Sequence, residues 1–432
     1  MAELLGLLPL ALEQAGGYVR ETHIALAAYL QRLREFPALT LTKGRPQHRD
    51  PADTVATTWQ VSLERVGSVA GAMVLLELCA FLAPEEIPRS LFTQQLDPPP
   101  DELAVLADDP FVLDETVAGL RRFGLVKAGE QTVTVHRLLQ QVVRDRLDAA
   151  TTASRVGLAV RLLAAAFPFE GFKRPALWPV CAQLLPHALA AAGYAEAKAI
   201  EGAATSELLD RAAGYLLGRA RYAEARALRE RALAMAVATF GVEHQMVGTR
   251  LTYLGHLLMR AGDPTTALPL QHQALAVYQA VLPDDDPWVA VALTNLGDTL
   301  HALGDLAGAR GHLERALAIR QAHLGADQAD ETDIATTISK LGSVLHDQGD
   351  LKRARTLHER ALAIRQDHLD PDHPYIGATL GKLGSVLRDQ GDLDGARTLL
   401  ERALAVYEAG LGPDHPETIQ SRQALAALAV KR

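Results

Sequence analysis

The sequence predicts a mainly α-helical chain. A solenoid of helical hairpins fills its second half, behind a smaller domain of helices with one β-hairpin and a short helical segment at the start. Three observations predict this. A pattern of Leu-Gly, Gly-Asp, Ala and Ala-Leu recurs four times in register between residues 254 and 404. Ala and Leu dominate and only 5% of residues are aromatic, which suits helices packed at close range. Outside the repeats the apolar spacing is helical nearly everywhere, with one strand–turn–strand pattern near residues 125–135.

Residues 1–50 read as helical. Leu7-Leu8-Pro9-Leu10-Ala11-Leu12 leads into Glu13–Val19, and Ile24–Leu33 forms an amphipathic run. The apolar start imitates a secretion signal. However, Glu3 stands where such a signal is positive and Pro9 breaks the run, so a folded segment is expected. The polar, Pro-bounded stretch Pro46–Pro51 is a linker.

Residues 51–148 form a second domain. Helical spacing covers 54–66, 70–82 and 114–123. Leu125–Lys127, a turn at Ala128-Gly129-Glu130, and Thr132–Val135 form a hairpin, and His136–Leu147 closes with an amphipathic helix. Helices followed by a small hairpin suggest a winged helix. Residues 149–204 are Ala-rich and helical and form a linker with irregular first repeats.

Residues 205–432 form the array. Leu-Gly stands at Leu254-Gly255, Leu296-Gly297, Leu341-Gly342 and Leu383-Gly384, with steps of 42, 45 and 42 residues from one glycine to the next. Gly-Asp follows at Gly262-Asp263, Gly304-Asp305, Gly349-Asp350 and Gly391-Asp392, then Ala267, Ala309, Ala354 and Ala396. Each unit reads as helix, tight turn, helix. The Gly ends the first helix in a left-handed conformation and the Asp caps the second. Gly255 and its equivalents lie inside a helix, where Gly costs about 1 kcal/mol against Ala. That cost makes sense if the second helix, through its alanines, packs directly over them. One period upstream the first helix is degenerate, with Ala212-Ala213 for Leu-Gly and Arg219-Ala220-Arg221 for the turn. Asp286-Pro287, Asp372-His373-Pro374 and Asp414-His415-Pro416 start the later first helices and the closing helix. His373 and His415 therefore read as loop and cap residues, and no metal is expected. A three-residue insertion falls around Gln328–Glu331, and Thr418–Val430 is a lone capping helix.

These features resemble the tetratricopeptide repeat, in the 42-residue form of kinesin light chain. The resemblance covers about half the chain and implies a concave groove, lined by the first helices, that accepts a peptide. Thr294, Asn295, Asp298 and His301, then Lys340, Ser343 and His346, then Lys382, Ser385 and Arg388 are the expected groove residues. Their chemistry is mixed and points to neither an acidic nor a basic ligand.

Two further motifs resemble the NB-ARC class of signal-transducing nucleotide hydrolases, the STAND group, as found in bacterial repeat proteins. Leu7-Leu8-Pro9-Leu10-Ala11 resembles its Gly-Leu-Pro-Leu-Ala motif, with Leu7 for Gly, and makes residues 1–50 an ARC-like remnant. Val135-His136-Arg137 resembles its Met-His-Asp motif, with Val for Met and Arg for Asp. The resemblance implies that Pro9 packs near the base and ribose of a nucleotide and that His136 donates to the β-phosphate of ADP. No GxxxxGK[ST] phosphate loop occurs in the chain. No cofactor is therefore expected for this chain alone, and ADP or ATP only when it is joined to an upstream P-loop domain. The chain would then be a C-terminal portion, a decayed copy, or a product whose true start lies upstream.

Composition narrows the function. With 432 residues and 48% hydrophobic content the chain can bury several cores. The net charge is −9, and Arg353, Arg355, Glu359 and Arg360 show the alternation of a solvated helix face. Nucleic acid is not an expected partner. Cys79 and Cys181 sit among apolar residues and read as buried thiols of a cytoplasmic protein. No apolar run is long enough to span a membrane. No nucleophile–base arrangement or carboxylate pair suggests an enzyme. The expected function is a protein- or peptide-binding sensor or scaffold region of a STAND-type NB-ARC signalling protein, with oligomerisation on activation. The alternatives are a free-standing adaptor with a vestigial front half, and a winged-helix DNA-binding regulator. For the last, Asp114 and Glu115 oppose Arg121 and Arg122 on the helix that would meet DNA, a poor attraction for phosphate.

Overall fold

The computed structural model describes residues 15–16, 18–19, 22–35, 55–97, 100–107, 110–169, 174–323 and 328–430. The chain is mainly helical and divides into two compact units. One holds residues 1–168 and 179–209; the other holds 169–178 and 210–432. Pro9 and the Pro46–Pro51 linker lie outside the described residues. Among the described residues no helix is long and apolar enough to cross a membrane.

In the first unit, α1 (Leu26–Glu35), α2 (Val55–Val66) and α3 (Ala72–Cys79) precede β1 (Ile87–Pro88) and a 3-10 turn. Then come α4 (Asp101–Ala107), α5 (Pro110–Arg122), β2 (Val126–Ala128), β3 (Thr132–Val135) and α6 (Arg137–Arg146). The expected hairpin is present. Its β3 also pairs with β1, with Ile87 opposite Val133, giving a three-stranded antiparallel sheet of order β1-β3-β2. β1 has two residues, too few to leave an alternating pattern. Leu75, Leu78, Phe81, Ile87, Phe92 and Val133 fill the core. Gln140 on α6 donates to the carbonyls of Cys79 (2.7 Å) and Leu82 (3.0 Å), satisfying the end of α3. Cys79 and Cys181 are buried free thiols, and burial pushes Cys181 up to about 11. α7 (Ala149–Ala166) and α8 (Trp178–Lys198) follow, and the division between the units runs through α9 (Gly202–Gly218).

The second unit is the array. After α10 (Tyr222–Phe240) come four hairpins: α11 (Gln245–Arg260) with α12 (Pro264–Val281), α13 (Pro287–Ala302) with α14 (Leu306–Ala322), α15 (Gln328–Asp347) with α16 (Leu351–His368), and α17 (Pro374–Asp389) with α18 (Leu393–Leu411). α19 (Pro416–Val430) closes the array. The turn glycines 262, 304, 349 and 391 all have φ between 81° and 88°, the left-handed region that ends a helix. Asp263, Asp305, Asp350 and Asp392 each cap the next helix by accepting a backbone N–H three residues on. The degenerate turn keeps the same shape on a different residue: Ala220 has φ 56°.

His244, His373 and His415 are caps too. In each, Nδ1 accepts the N–H two residues on. The insertion lengthens a helix: α15 has 20 residues where α11, α13 and α17 have 16. The interior glycines do sit under the second helix, but the covering group is chiefly not the alanine expected. A Cβ on Gly255, Gly297, Gly342 or Gly384 would meet the side chain of Gln271, Leu313, His358 or Leu400, within 3.1 Å in every case. Those residues stand one turn beyond the alanines, because helical side chains lean back over the preceding turn.

The ends of the array meet. Arg260 at the end of α11 pairs with Glu417 in the first turn of α19, and His415 Nε2 lies 3.3 Å from the Gly218 carbonyl oxygen.

Candidate functional site

The first helices present one stripe to the inside of the array. On α13 it runs through Trp288, Val291, Asn295 and Asp298, spaced 3, 4 and 3, which keeps side chains on one face of a helix with 3.6 residues per turn. The same positions hold Asp333, Thr336 and Lys340 on α15, Tyr375, Ala378 and Lys382 on α17, and Tyr253 and His256 on α11. Two adjoining cavities, of about 230 Å3 and 500 Å3, lie against this stripe and share His256, Thr336, Lys340 and Tyr375. Phe169, Tyr253 and Trp288 give the larger cavity an aromatic wall.

Second helices add cations from behind. Arg229 on α10 lies 3.4 Å from Asp210, and Arg320 on α14 lies 2.8 Å from Asp333. Lys340 is in contact with Asp298. Burial opposes the charge on Asp298, yet the Lys340 ammonium holds its carboxyl below the usual range. His256 is held well below its ordinary value by burial and by Arg229, Arg260 and Lys340, so it is neutral.

Arg365 on α16 is 5% exposed and reaches between two first helices. Its guanidinium donates to the Tyr375 carbonyl (3.0 Å), the Thr379 hydroxyl and the Thr336 hydroxyl (3.2 Å). Burial lowers it to about 10. Lys382 donates weakly to Ser339 Oγ at 3.5 Å. Burial first, and Lys340 second, lower it to about 8.

The expected groove residues separate into two groups. Asn295, Asp298, Lys340 and Lys382 line the cavities. Thr294 also borders the larger one, but it is 3% exposed and its hydroxyl is engaged with Ala290 O (2.7 Å) and Thr337 Oγ1 (3.2 Å). Ser343 and Ser385 donate back to the carbonyls of Ser339 and Gly381. His301, His346 and Arg388 stand near the ends of the first helices, about 100° round from the stripe. There they build a ladder: His301 with Asp347 (2.7 Å), His346 with Asp389 (2.8 Å), and Arg388 with Asp389 (2.8 Å). Tyr253, Trp288 and Tyr375 were not among the expected residues, although the stripe predicts them. Counting back seven residues from Lys382 reaches Tyr375. Arg365 left no such signal, because it comes from the second helix. His136 caps α6, its Nδ1 accepting the Leu138 N–H at 3.2 Å, and its ring lies 5.8 Å from that of Trp59.

Residues 249–322, 333–409 and 375–432 match a tetratricopeptide repeat model, and 205–245 match a second tetratricopeptide repeat model. Residues 62–152 match a domain of unknown function (DUF7779). Among solved structures the chain is similar to BtubC (BKLC) of P. vanneervenii, at 24% identity, covering 56% of this chain and 93% of that one, with a TM-score of 0.40. It is also similar to NprR in complex with its cognate peptide NprX, at 16% identity, 68% and 76% coverage and a TM-score of 0.47. A thermophilic TPR protein of Thermus thermophilus shows 19% identity, 52% and 99% coverage and a TM-score of 0.36. No curated protein matches the sequence.

Proposed function

We propose that the tetratricopeptide repeats carried by this chain hold an extended, acidic segment of another protein against the stripe of the first helices. One observation carries this. The chain has a net charge of −9, yet its two adjoining cavities collect Arg211, Arg229, Arg260, Arg320, Lys340, Arg365 and Lys382 against four carboxylates, Asp210, Asp298, Asp333 and Glu417. A concave surface of opposite sign to the rest of the molecule attracts and orients an acidic partner. Aromatic residues at the same surface supply apolar anchoring area. The test is fluorescence anisotropy with matched acidic, neutral and basic peptides. Acidic peptides should bind most tightly, and more weakly as salt rises. A preference for basic peptides would overturn the reading.

The finer reading is a sensor or scaffold region of a STAND-type NB-ARC signalling protein, located in the cytoplasm. It is supported by the Pro9 and His136 motifs, and by the order of α3, β1, α4, α5 and the β2–β3 hairpin, which we read as a winged helix. His136 fits a donor role toward ADP. Its Nδ1 is occupied as an acceptor, so the tautomer carries its proton on Nε2. On this reading nucleotide binding needs an upstream P-loop domain, and ADP leaves the melting temperature of this chain unchanged. A rise would show a nucleotide site within the chain itself. A free-standing adaptor is the alternative, in which His136 serves only as a cap.

A further inference from the structure

We infer that the smaller cavity contains a site for a dianionic oxyanion, a phosphate group, formed by Arg365 and Lys382. This rests on the array being the binding surface and names one chemistry that it reads.

Charge matching is the first argument. Of the other cations of the two cavities, Lys340 has Asp298, Arg260 has Glu417, Arg229 has Asp210 and Arg320 has Asp333, while Arg211 stacks over the Phe169 ring. Arg365 and Lys382 have no such carboxylate among the described residues. Among the described residues, every acceptor of Arg365 is neutral, and its buried Nε has no partner. Lys382 has only the long contact to Ser339, and its nearest carboxylate influence, Asp298, is engaged by Lys340. A buried guanidinium beside a half-buried ammonium, neither with a counter-charge, is costly unless a ligand supplies one.

Repeat symmetry is the second argument. Arg320 and Arg365 occupy the same position in successive second helices, four residues after Ala316 and Ala361. Arg320 meets Asp333 on the next first helix. The residue equivalent to Asp333 in the following repeat is Tyr375. The array thus has a slot for a carboxylate beside Arg365 and fills it with a neutral ring, 5.2 Å from the guanidinium. The missing counter-charge is local to this repeat.

Ligand class follows. Two uncompensated positive charges match a dianion better than a carboxylate. Arg and Lys together give the fork and the point charge that hold phosphate oxygens. The cavity, about 230 Å3, has room for a tetrahedral oxyanion with water around it. The phosphate could be carried by a peptide or be free.

The experiment titrates the full chain calorimetrically with inorganic phosphate, with acetate, and with one acidic peptide in phosphoserine and unmodified forms. Phosphate should bind at least about tenfold more tightly than acetate. Tyr375→Asp installs the absent carboxylate, and Lys382→Met removes one cation. Each should weaken phosphate binding about tenfold or more, while circular dichroism confirms the fold. A phosphopeptide that outbinds free phosphate assigns the group to a peptide; the reverse assigns it to a free phosphate. No heat with phosphate, equal binding of acetate, or unchanged affinity in Tyr375→Asp would overturn the site. If peptides bind while phosphate does not, only this inference falls. If phosphate binds while no peptide does, only the peptide reading falls.

Discussion

His358 lies directly over Gly342: a Cβ on that glycine would stand 2.9 Å from His358 Cε1. The same approach joins Gly297 to Leu313 and Gly384 to Leu400. The glycine is therefore a contact surface for the second helix of its own hairpin. Gly342→Ala should destabilise the chain by about 2 kcal/mol, the cost of overpacking a filled interior. Gly381 on α17 faces nothing within 4 Å, so Gly381→Ala should instead gain up to ~1 kcal/mol. Urea unfolding of both variants checks the pair.

His358 also makes the array acid-sensitive. Burial, helped by Lys382, pushes its pKa to about 3 from an ordinary 6.5. Between those values the unfolded chain takes up a proton that the folded chain refuses, so stability falls as pH drops below about 6.5. His358→Leu, which copies Leu313 and Leu400, should flatten that dependence. Melting temperatures between pH 7.5 and pH 4 would show it; an unchanged slope would mean other groups dominate.

Ala220 holds the turn that glycine holds in four other hairpins, at φ 56°. A residue with a Cβ is strained there. Ala220→Gly should stabilise the chain by about 1 kcal/mol, read as a higher urea midpoint with the same slope.

Much of this was legible in the sequence for a physical reason. Turn chemistry is local, so Gly-Asp at 262, 304, 349 and 391 marked the hairpins and the caps. The Leu-Gly glycines likewise marked close approach. What was not legible depends on direction around the helix. Of the residues expected beside Leu-Gly, Thr294, Asn295, Asp298, Lys340 and Lys382 border the two cavities, whereas His301, His346 and Arg388 pair along the ends of the first helices. Arg365 needed the packing of a second helix between two first helices, which no single-helix pattern records. The two-residue β1 is too short to show a period.

The contact of Arg260 with Glu417 joins helices at opposite ends of the array. Both side chains are partly exposed, so the coupling is modest. A double-mutant cycle of Arg260→Ala and Glu417→Ala should give about 1 kcal/mol, shrinking as salt is added. A coupling of zero at low salt would show that this pair does not help to hold the two ends together.

The measurement nearest the central claim is the affinity of one acidic peptide for three forms of the chain. Lys340→Glu/Lys382→Glu reverses charge on the stripe. Arg355→Glu, on an exposed second-helix position, reverses charge elsewhere. The groove reading predicts that the stripe variant loses at least about tenfold in affinity, ~1.4 kcal/mol, while Arg355→Glu stays within about twofold of the parent. Equal losses in both variants, or none in the stripe variant, would contradict it.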